Sequence, residues 1–292
     1  MKKSFGSHIF DGFNTIFLVF IIFITAYPIY YVIVASFSDP GALSRHNGAL
    51  WAPLAPYTLS AYKMVFKNAL LASGFMNTLF VLIVGVAVNM VLTIMGAYFL
   101  NVKGPMLKTP ITFMIIFTMY FSGGMVPAYL NVKDLGLLNS LWALILPGAI
   151  NTTNLIILKS GFQTIPDSLV ESATLDGATH MQIMTRIMVP LAKATLAVLV
   201  LYYAVSHWNS WFSASIYLRD SDKYPLQLVV HDILSHTSSQ AMMEGIGADE
   251  MSRAAELVKY AMIVITTAPI MVVYPFLQKY FVKGVMIGAI KG

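Results

Sequence analysis

Six stretches of this chain contain no Asp, Glu, Lys or Arg: Gly12–Ser38, Asn68–Val102, Thr109–Val132, Leu135–Leu158, Ala194–Leu218 and Tyr260–Gln278. A helix crossing a bilayer needs about 20 apolar residues. One charge at mid-bilayer costs about 2.5–3.5 kcal/mol even on the lenient insertion scale. Each stretch meets the length, and none carries the penalty. Composition agrees, since 58% of the 292 residues are hydrophobic and 11% are charged, whereas a soluble domain carries roughly 25% charge. The expectation is an all-α membrane protein with six transmembrane helices. There is no cysteine, which excludes disulfides, thiolate metal sites and a Cys nucleophile.

Six crossings put both termini on one side of the membrane. With the N-terminus inside, Lys and Arg number ten on inner segments and eight on outer ones, and acids number four and nine. Lys2, Lys3, Lys103, Lys108, Lys279, Lys283 and Lys291 all flank span ends on the inner side, the side that positive flanks mark as cytoplasmic. The net charge of +5 is therefore read as loop bias, not as a nucleic-acid signal. Lys2 and Lys3 before an apolar run resemble a signal peptide, but the run is too long for an h-region and no small-x-small site follows. A retained first span is expected.

Between the fourth and fifth stretches lies a polar segment with Lys159, Asp167, Glu171, Asp176, Arg186 and Lys193. Several charges together place it outside lipid. Ser168 three residues before Glu171 reads as a capping box, Leu169, Val170 and Ala173 supply an apolar side, and Gly177 offers the left-handed residue that ends a helix. A second short helix follows, with Met181, Met184, Ile187 and Met188 at helical spacing, and Pro190 is expected to stop it. By physics alone, two short helices with a glycine joint at a membrane surface also describe an amphipathic pair resting on headgroups.

Glu171-x-Ala173-x-x-Asp176-Gly177-Ala178, with Pro190 twelve residues on, resembles the "EAA" signature of ABC-importer membrane subunits of the maltose-type carbohydrate family. Ser172 stands where a second Ala is usual, Met184 where an aromatic is common, and Ala194 where a second Pro often sits. Asn77–Thr78 resembles the pair that opens the transmembrane core of sugar permeases, so the likeness covers the chain from there to Gly292. The resemblance implies the type I importer permease fold, with 167–190 as a cytoplasmic coupling segment that docks on an ATPase subunit. It implies one permease domain over 1–292, with a core of 68–292, a first span and outer loop in 1–67, and a long outer loop at 219–259. It implies as partners a second permease, a dimer of ATPase subunits, an extracytoplasmic solute-binding protein and an oligosaccharide, in a bacterial inner membrane. ATP and Mg would be bound by the partner ATPases, and this chain would need no cofactor. His207–Trp211 and Gln278–Gly292 resemble the subgroup for oligosaccharides that includes alginate importers.

Several other segments carry local expectations. Pro28 beside Tyr27, Tyr30 and Tyr31 suggests a kink and an interfacial aromatic belt. Leu59–Tyr62 reads as the start of a short surface helix. Gly85, Ala87, Gly96 and Ala97 would let helices approach closely. Ser122-Gly123-Gly124 and Pro127 imply irregular backbone, which is tolerated only where protein or water covers it. Asn151-Thr-Thr-Asn154 should face the bundle or a cavity, either bridging helices or touching cargo. His207-Trp208-Asn209-Ser210-Trp211 combines flat aromatic faces with amide and hydroxyl groups, as sugar binding requires, and it reads equally as an outer Trp belt with a bundle histidine. Asn151, Asn154, His207, Trp208, Asn209 and Trp211 are thus the candidate substrate path, and Gly245 and Gly247 mark a flexible centre in the last outer loop.

The sequence holds no G-x-x-x-x-G-K-[ST], H-E-x-x-H or G-x-S-x-G, and the six histidines are scattered. The chain is not expected to be an enzyme. Its charge-free spans also lack the buried carboxylate on which proton- or sodium-coupled carriers usually depend. The alternatives are an ABC permease for peptides or amino acids and a stand-alone secondary transporter.

Overall fold

In a computed structural model the described residues are 5–104, 106–243 and 257–272, with Pro275. Lys2, Lys3, Gly245, Gly247 and the whole segment Gln278–Gly292 resembling sugar-permease C-termini lie outside the described residues. The described secondary structure is helical. Thirteen helices follow in order: α1 Phe5–Ser36, α2 Pro40–Arg45, α3 Ser60–Lys67, α4 Ala69–Asn101, α5 Lys108–Tyr120, α6 Met125–Asp134, α7 Thr152–Phe162 and α8 Asp167–Leu175, then α9 His180–Leu191, α10 Lys193–Trp208, α11 Trp211–Tyr217, α12 Leu226–Met243 and α13 Leu257–Val272. The chain forms two compact units, one from residues 1–69 and 232–269, the other from 70–231 and 270–292.

In the first unit α1 runs unbroken through Pro28. Its first half exposes Phe13, Ile16, Phe17, Phe20 and Phe23, as a lipid-facing helix requires. Nearer its end its tyrosines meet aromatic partners. Tyr27 accepts a hydrogen bond from the Leu50 N–H at 2.9 Å, its ring lies 5.3 Å from Trp51, and Tyr31 meets Tyr260 edge-on at 6.0 Å. The short surface helix expected near Leu59 is α3, tied to the end of α1 by Ser36 and Tyr62 at 2.7 Å.

The second unit is built on α4. Its buried positions are Leu71, Gly74, Thr78, Val81, Gly85, Asn89, Thr93, Ala97 and Leu100, spaced three or four apart, which lays them on one face. Glycines on that face allow the close approach the sequence suggested. A Cβ on Gly85 would stand 2.6 Å from His207 Nε2, and one on Gly96 would stand 2.6 Å from Leu155 Cδ1.

The six charge-free stretches do not become six straight helices. Among the described residues α1 and α4 are long and apolar enough to cross a membrane, and up to four crossings result if each bent pair counts as one. The third stretch is α5 and α6, bent by 119° at the expected glycine break, where Gly124 has φ 88°. The fourth, Leu135–Leu158, departs furthest from expectation. It holds a 3-10 turn at Leu141–Leu144, left-handed backbone at Gly136 and Asn139, and helix only from Thr152. Freed backbone groups at membrane depth need partners, and here they have them. Asn89 Nδ2 donates to the Gly148 and Ala149 carbonyls at 3.2 and 2.8 Å, the Asn151 N–H donates to the Tyr203 hydroxyl at 3.1 Å, and the Asn139 N–H reaches the Tyr217 carbonyl at 2.8 Å. The long outer loop read over 219–259 contains α12, whose first turns bury Leu226, Leu228, Val229 and Val230.

Candidate functional site

The polar segment between α7 and α10 folds as two short helices, as its sequence suggests, but with different caps. Pro166 occupies the N-cap of α8 with no side-chain cap, so the Ser168–Glu171 capping box does not form. The helix begins two residues early, at Asp167, which puts Ser168 inside the first turn. Asp167 carries its carboxylate at the helix N-terminus, where it is favoured, and its Oδ2 accepts from Lys103 Nζ at 2.6 Å. That hydrogen bond, and then the carboxylate's charge, hold the Lys103 ammonium above its ordinary pKa. The reciprocal box forms instead at the start of α9. The Gln182 N–H donates to Thr179 Oγ1 at 3.3 Å, and the Thr179 N–H donates to Gln182 Oε1 at 2.8 Å. The pattern T-x-x-Q was as visible in the sequence as S-x-x-E and is the signal passed over.

Gly177 ends α8 as expected. Its φ is 80°, its N–H donates to the Thr174 carbonyl at 3.0 Å, and the Ala178 N–H donates to the Ala173 carbonyl at 2.9 Å. The two bonds make a Schellman motif, which satisfies carbonyls the helix end would orphan. Val170, Ala173 and Ala178 pack against a buried cluster that includes Leu158, Phe162, Ile165, Ile183, Met188 and Leu199. Glu171, Asp176 and Gly177 are exposed, and Leu175 is 89% exposed. The small residues of the motif thus anchor the helix, while its charges, its glycine joint and one apolar side chain point outward. Leaving a Leu fully exposed forgoes about 1.5–3 kcal/mol of burial.

Pro190 does not stop α9. The helix passes through a π turn at Met184–Met188, where the Val189 N–H reaches back to the Met184 carbonyl. The wider turn relieves the collision between a proline ring and the carbonyl four residues earlier. The break comes at Ala192, and α9 and α10 meet at 85°. The segment 167–190 thus meets α10 at a bend whose Ala192 is buried in the same cluster as Ile165, which follows α7.

Those two helices touch at Gly161, where a Cβ would stand 2.9 Å from Thr195 Oγ1 and 3.1 Å from its Cγ2. Thr195 is β-branched and has little rotamer freedom to give way. Gly161→Val should destabilise the purified protein by about 1–3 kcal/mol, read as a lower melting temperature in detergent, and Thr195→Ala on the same chain should recover part of it.

The candidate path residues divide by burial. His207 is 8% and Asn154 6% exposed, both inside the bundle. The His207 Nε2–H donates to Asn89 Oδ1 at 2.6 Å, and Thr93 and Tyr203 hydroxyls meet at 2.7 Å. Helix bridging is thus what His207 does in this conformation. Trp208 is also buried, edge-on to Phe75 at 6.4 Å, with no partner for its indole N–H. Asn151 caps α7 by accepting from the Asn154 N–H at 3.0 Å, and Asn209 donates to the Val205 carbonyl at 2.9 Å. Trp211 is exposed and stacks on His231 at 4.1 Å. Sequence reasoning missed the partners on α4, Asn89 and Thr93, because single polar residues in an apolar run carry no periodic signal. It also missed what Asn77 and Thr78 do: Asn77 Nδ2 donates to the Asp222 and Tyr224 carbonyls at 2.7 and 3.2 Å, and Thr78 Oγ1 accepts from the Leu226 N–H at 2.8 Å. Asn139, at φ 58°, grips the same turn by accepting from the Arg219 and Asp220 N–H groups and donating to Asp220 Oδ2. The Asn139 bond, then the Lys223 bond, hold the Asp220 carboxyl below its usual range.

Long apolar helices bearing a short helix that leaves Leu175 uncovered describe a membrane component with a segment open to a partner. Residues 95–287 match the family described as binding-protein-dependent transport system inner membrane component, and the chain belongs to it. It is 39% identical over 287 residues to the polygalacturonan/rhamnogalacturonan transport system permease protein YtcP of Bacillus subtilis, covering 98% of this chain and 99% of that one. It is 40% identical over 300 residues to protein LplC of the same organism, covering 100% and 98%. In structure it is similar to a chain of a bacterial ABC transporter involved in the import of the acidic polysaccharide alginate, with a TM-score of 0.85 and 31% identity over 96% of this chain and 99% of that one. The fold is accordingly that of a type I ABC permease, and the chain is a transport component.

Proposed function

We propose that this chain forms half of the translocation path for a uronate-bearing oligosaccharide in an ATP-driven bacterial importer. A second permease, two cytoplasmic ATPase subunits that bind ATP and Mg, and an external solute-binding protein complete the assembly. Both termini face the cytoplasm, and so does the segment Glu171–Ala178, through which closure of the ATPases tilts α7 and α10 as a rigid body. The observation that carries this reading is α8 itself: an anchored helix that leaves Leu175 89% exposed on the segment whose residues match the coupling signature. The cargo class rests on two relatives whose names specify uronate polymers. Asn151, Asn209 and Trp211 are the path residues left exposed to meet cargo, whereas His207 and Asn154 set the bundle that holds them.

The test is to express the chain with its genomic neighbours, purify it in detergent and measure uptake in vesicles loaded with ATP. An ATPase subunit should co-purify, and uptake should favour oligogalacturonate over maltooligosaccharide. Leu175→Glu should reduce the co-purified ATPase by about tenfold, the loss expected when an apolar anchor at the centre of an interface is replaced by a charge. No co-purifying ATPase would refute the importer reading, and equal uptake of neutral glucans would refute the uronate assignment alone.

A further inference from the structure

Beyond the coupling motif itself, two polar links connect the inner end of α4 to the helices on either side of the knob. Lys103, just past the end of α4, donates to Asp167 at the start of α8 at 2.6 Å. Tyr98, in the last turn of α4, meets His180 at the start of α9, with its hydroxyl 3.0 Å from Nδ1 and the rings 6.1 Å apart. The links bracket Glu171–Ala178 in sequence, and between them lies a cleft of about 450 Å³ lined by Val170, Glu171, Thr174 and Leu175 on the α8 side. The α4 end is itself braced, since Lys108 Nζ donates to the Val102 carbonyl at 2.8 Å. The knob is thus packed through an apolar cluster shared by α7, α9, α10 and Ala97 of α4, and the polar links to α4 stand at the two edges of the cleft.

We infer that Lys103–Asp167 and Tyr98–His180 are positioning tethers that make α4 follow the coupling helix when the ATPases push on it. This rests on the importer reading above. The side chains of Lys103 and Asp167 are 74% and 68% exposed, and an ion pair that open to solvent adds little to folding. Its effect belongs in transmission: α4 carries Asn89, Thr93, Asn77 and Thr78, the residues that grip the irregular backbone and the outer turn. Asn89 and Thr93 also bond His207 and Tyr203 on α10, so a helix that lagged the knob would strain those bonds as α10 moved. With the tethers intact, the face that lines the bundle and the face that is pushed move together.

The experiment uses the full importer in vesicles, measuring substrate uptake and ATP hydrolysed per molecule transported, with melting temperature as control. Lys103→Glu and Asp167→Lys should each lower uptake about tenfold, within the range of measured coupling between sites. Each should raise ATP consumed per transport event, with the melting temperature within a degree or two of wild type. The double variant, with charges exchanged, should recover most of the loss, and Lys103→Arg should resemble wild type. Tyr98→Phe, which removes only the hydroxyl, should deepen the defect of Lys103→Glu. Single variants with normal uptake and normal coupling would overturn the proposal, and so would a double variant no better than the worse single. If wild-type vesicles neither hold an ATPase nor take up cargo, the importer reading fails and this proposal with it. Wild-type uptake with silent single variants refutes the tethers alone.

Discussion

Gly177→Pro should abolish uptake while leaving the chain in the membrane. The position has φ 80°, and proline is locked near −65°. Its N–H donates to the Thr174 carbonyl at 3.0 Å, and proline has none to give. Asp176 before it is at φ −73° and ψ 2°, a conformation a following proline disfavours. Each effect alone loosens the end of α8, and together they cost about 3 kcal/mol or more locally. The next bond to fail is that from the Ala178 N–H to the Ala173 carbonyl, and with it the packing of both alanines on the buried cluster. The knob would then swing free of α9 and α10. Uptake below about a tenth of wild type is expected, with membrane insertion unchanged by fractionation. Gly177→Ala makes the comparison informative, because nothing lies within 4 Å of the added Cβ. That variant has only the left-handed backbone penalty to overcome, about 1–2 kcal/mol, and should retain partial uptake. Normal uptake by the proline variant would refute a rigid coupling helix.

The second large effect is predicted for Asn89→Leu. Asn89 is fully buried and serves three partners: His207 at 2.6 Å and the carbonyls of Gly148 and Ala149. Leucine fits the apolar surroundings but leaves all three groups without their partner. Orphaning a buried polar group costs about 1–3 kcal/mol in soluble proteins, while single interhelical bonds in membranes average about 0.6 kcal/mol. With three bonds lost at once, a destabilisation of about 2–4 kcal/mol is expected, measured by thermal unfolding in detergent. Thr93→Val removes one hydroxyl contact, to Tyr203 at 2.7 Å, and should cost about 1 kcal/mol. An equal loss in the two variants would mean that Asn89 is not holding the irregular backbone.

Much of the coupling segment was legible in the residues. Charges confined between two charge-free runs exclude burial in lipid, and a glycine after a short apolar-sided helix points to a left-handed end, which Gly177 adopts. The caps were less legible. Ser168–Glu171 and Thr179–Gln182 offer the same chemistry, and the choice between them turns on whether Pro166 takes the N-cap, a matter of backbone geometry. The same limit applies to Pro190, where a π turn, invisible in a sequence pattern, carries the helix past a residue that ordinarily ends it. The long stretch Leu135–Leu158 misled most. Absence of charge tests whether a segment tolerates lipid, and a segment covered by protein passes that test as easily as a helix.

The residues alone determined that this chain lives in a bilayer and that α8 ends at Gly177, because each depends on the cost of a charge in lipid or on the φ one residue permits. Only the tertiary structure decided that His207 bonds Asn89 inside the bundle, that Asn89 supports backbone at 148–149, and that Lys103 and Tyr98 reach across to α8 and α9. Those pairings join residues 59 to 118 positions apart. A hydrogen bond between distant residues has no period and no local composition, so it exists only once the helices that carry its ends have packed.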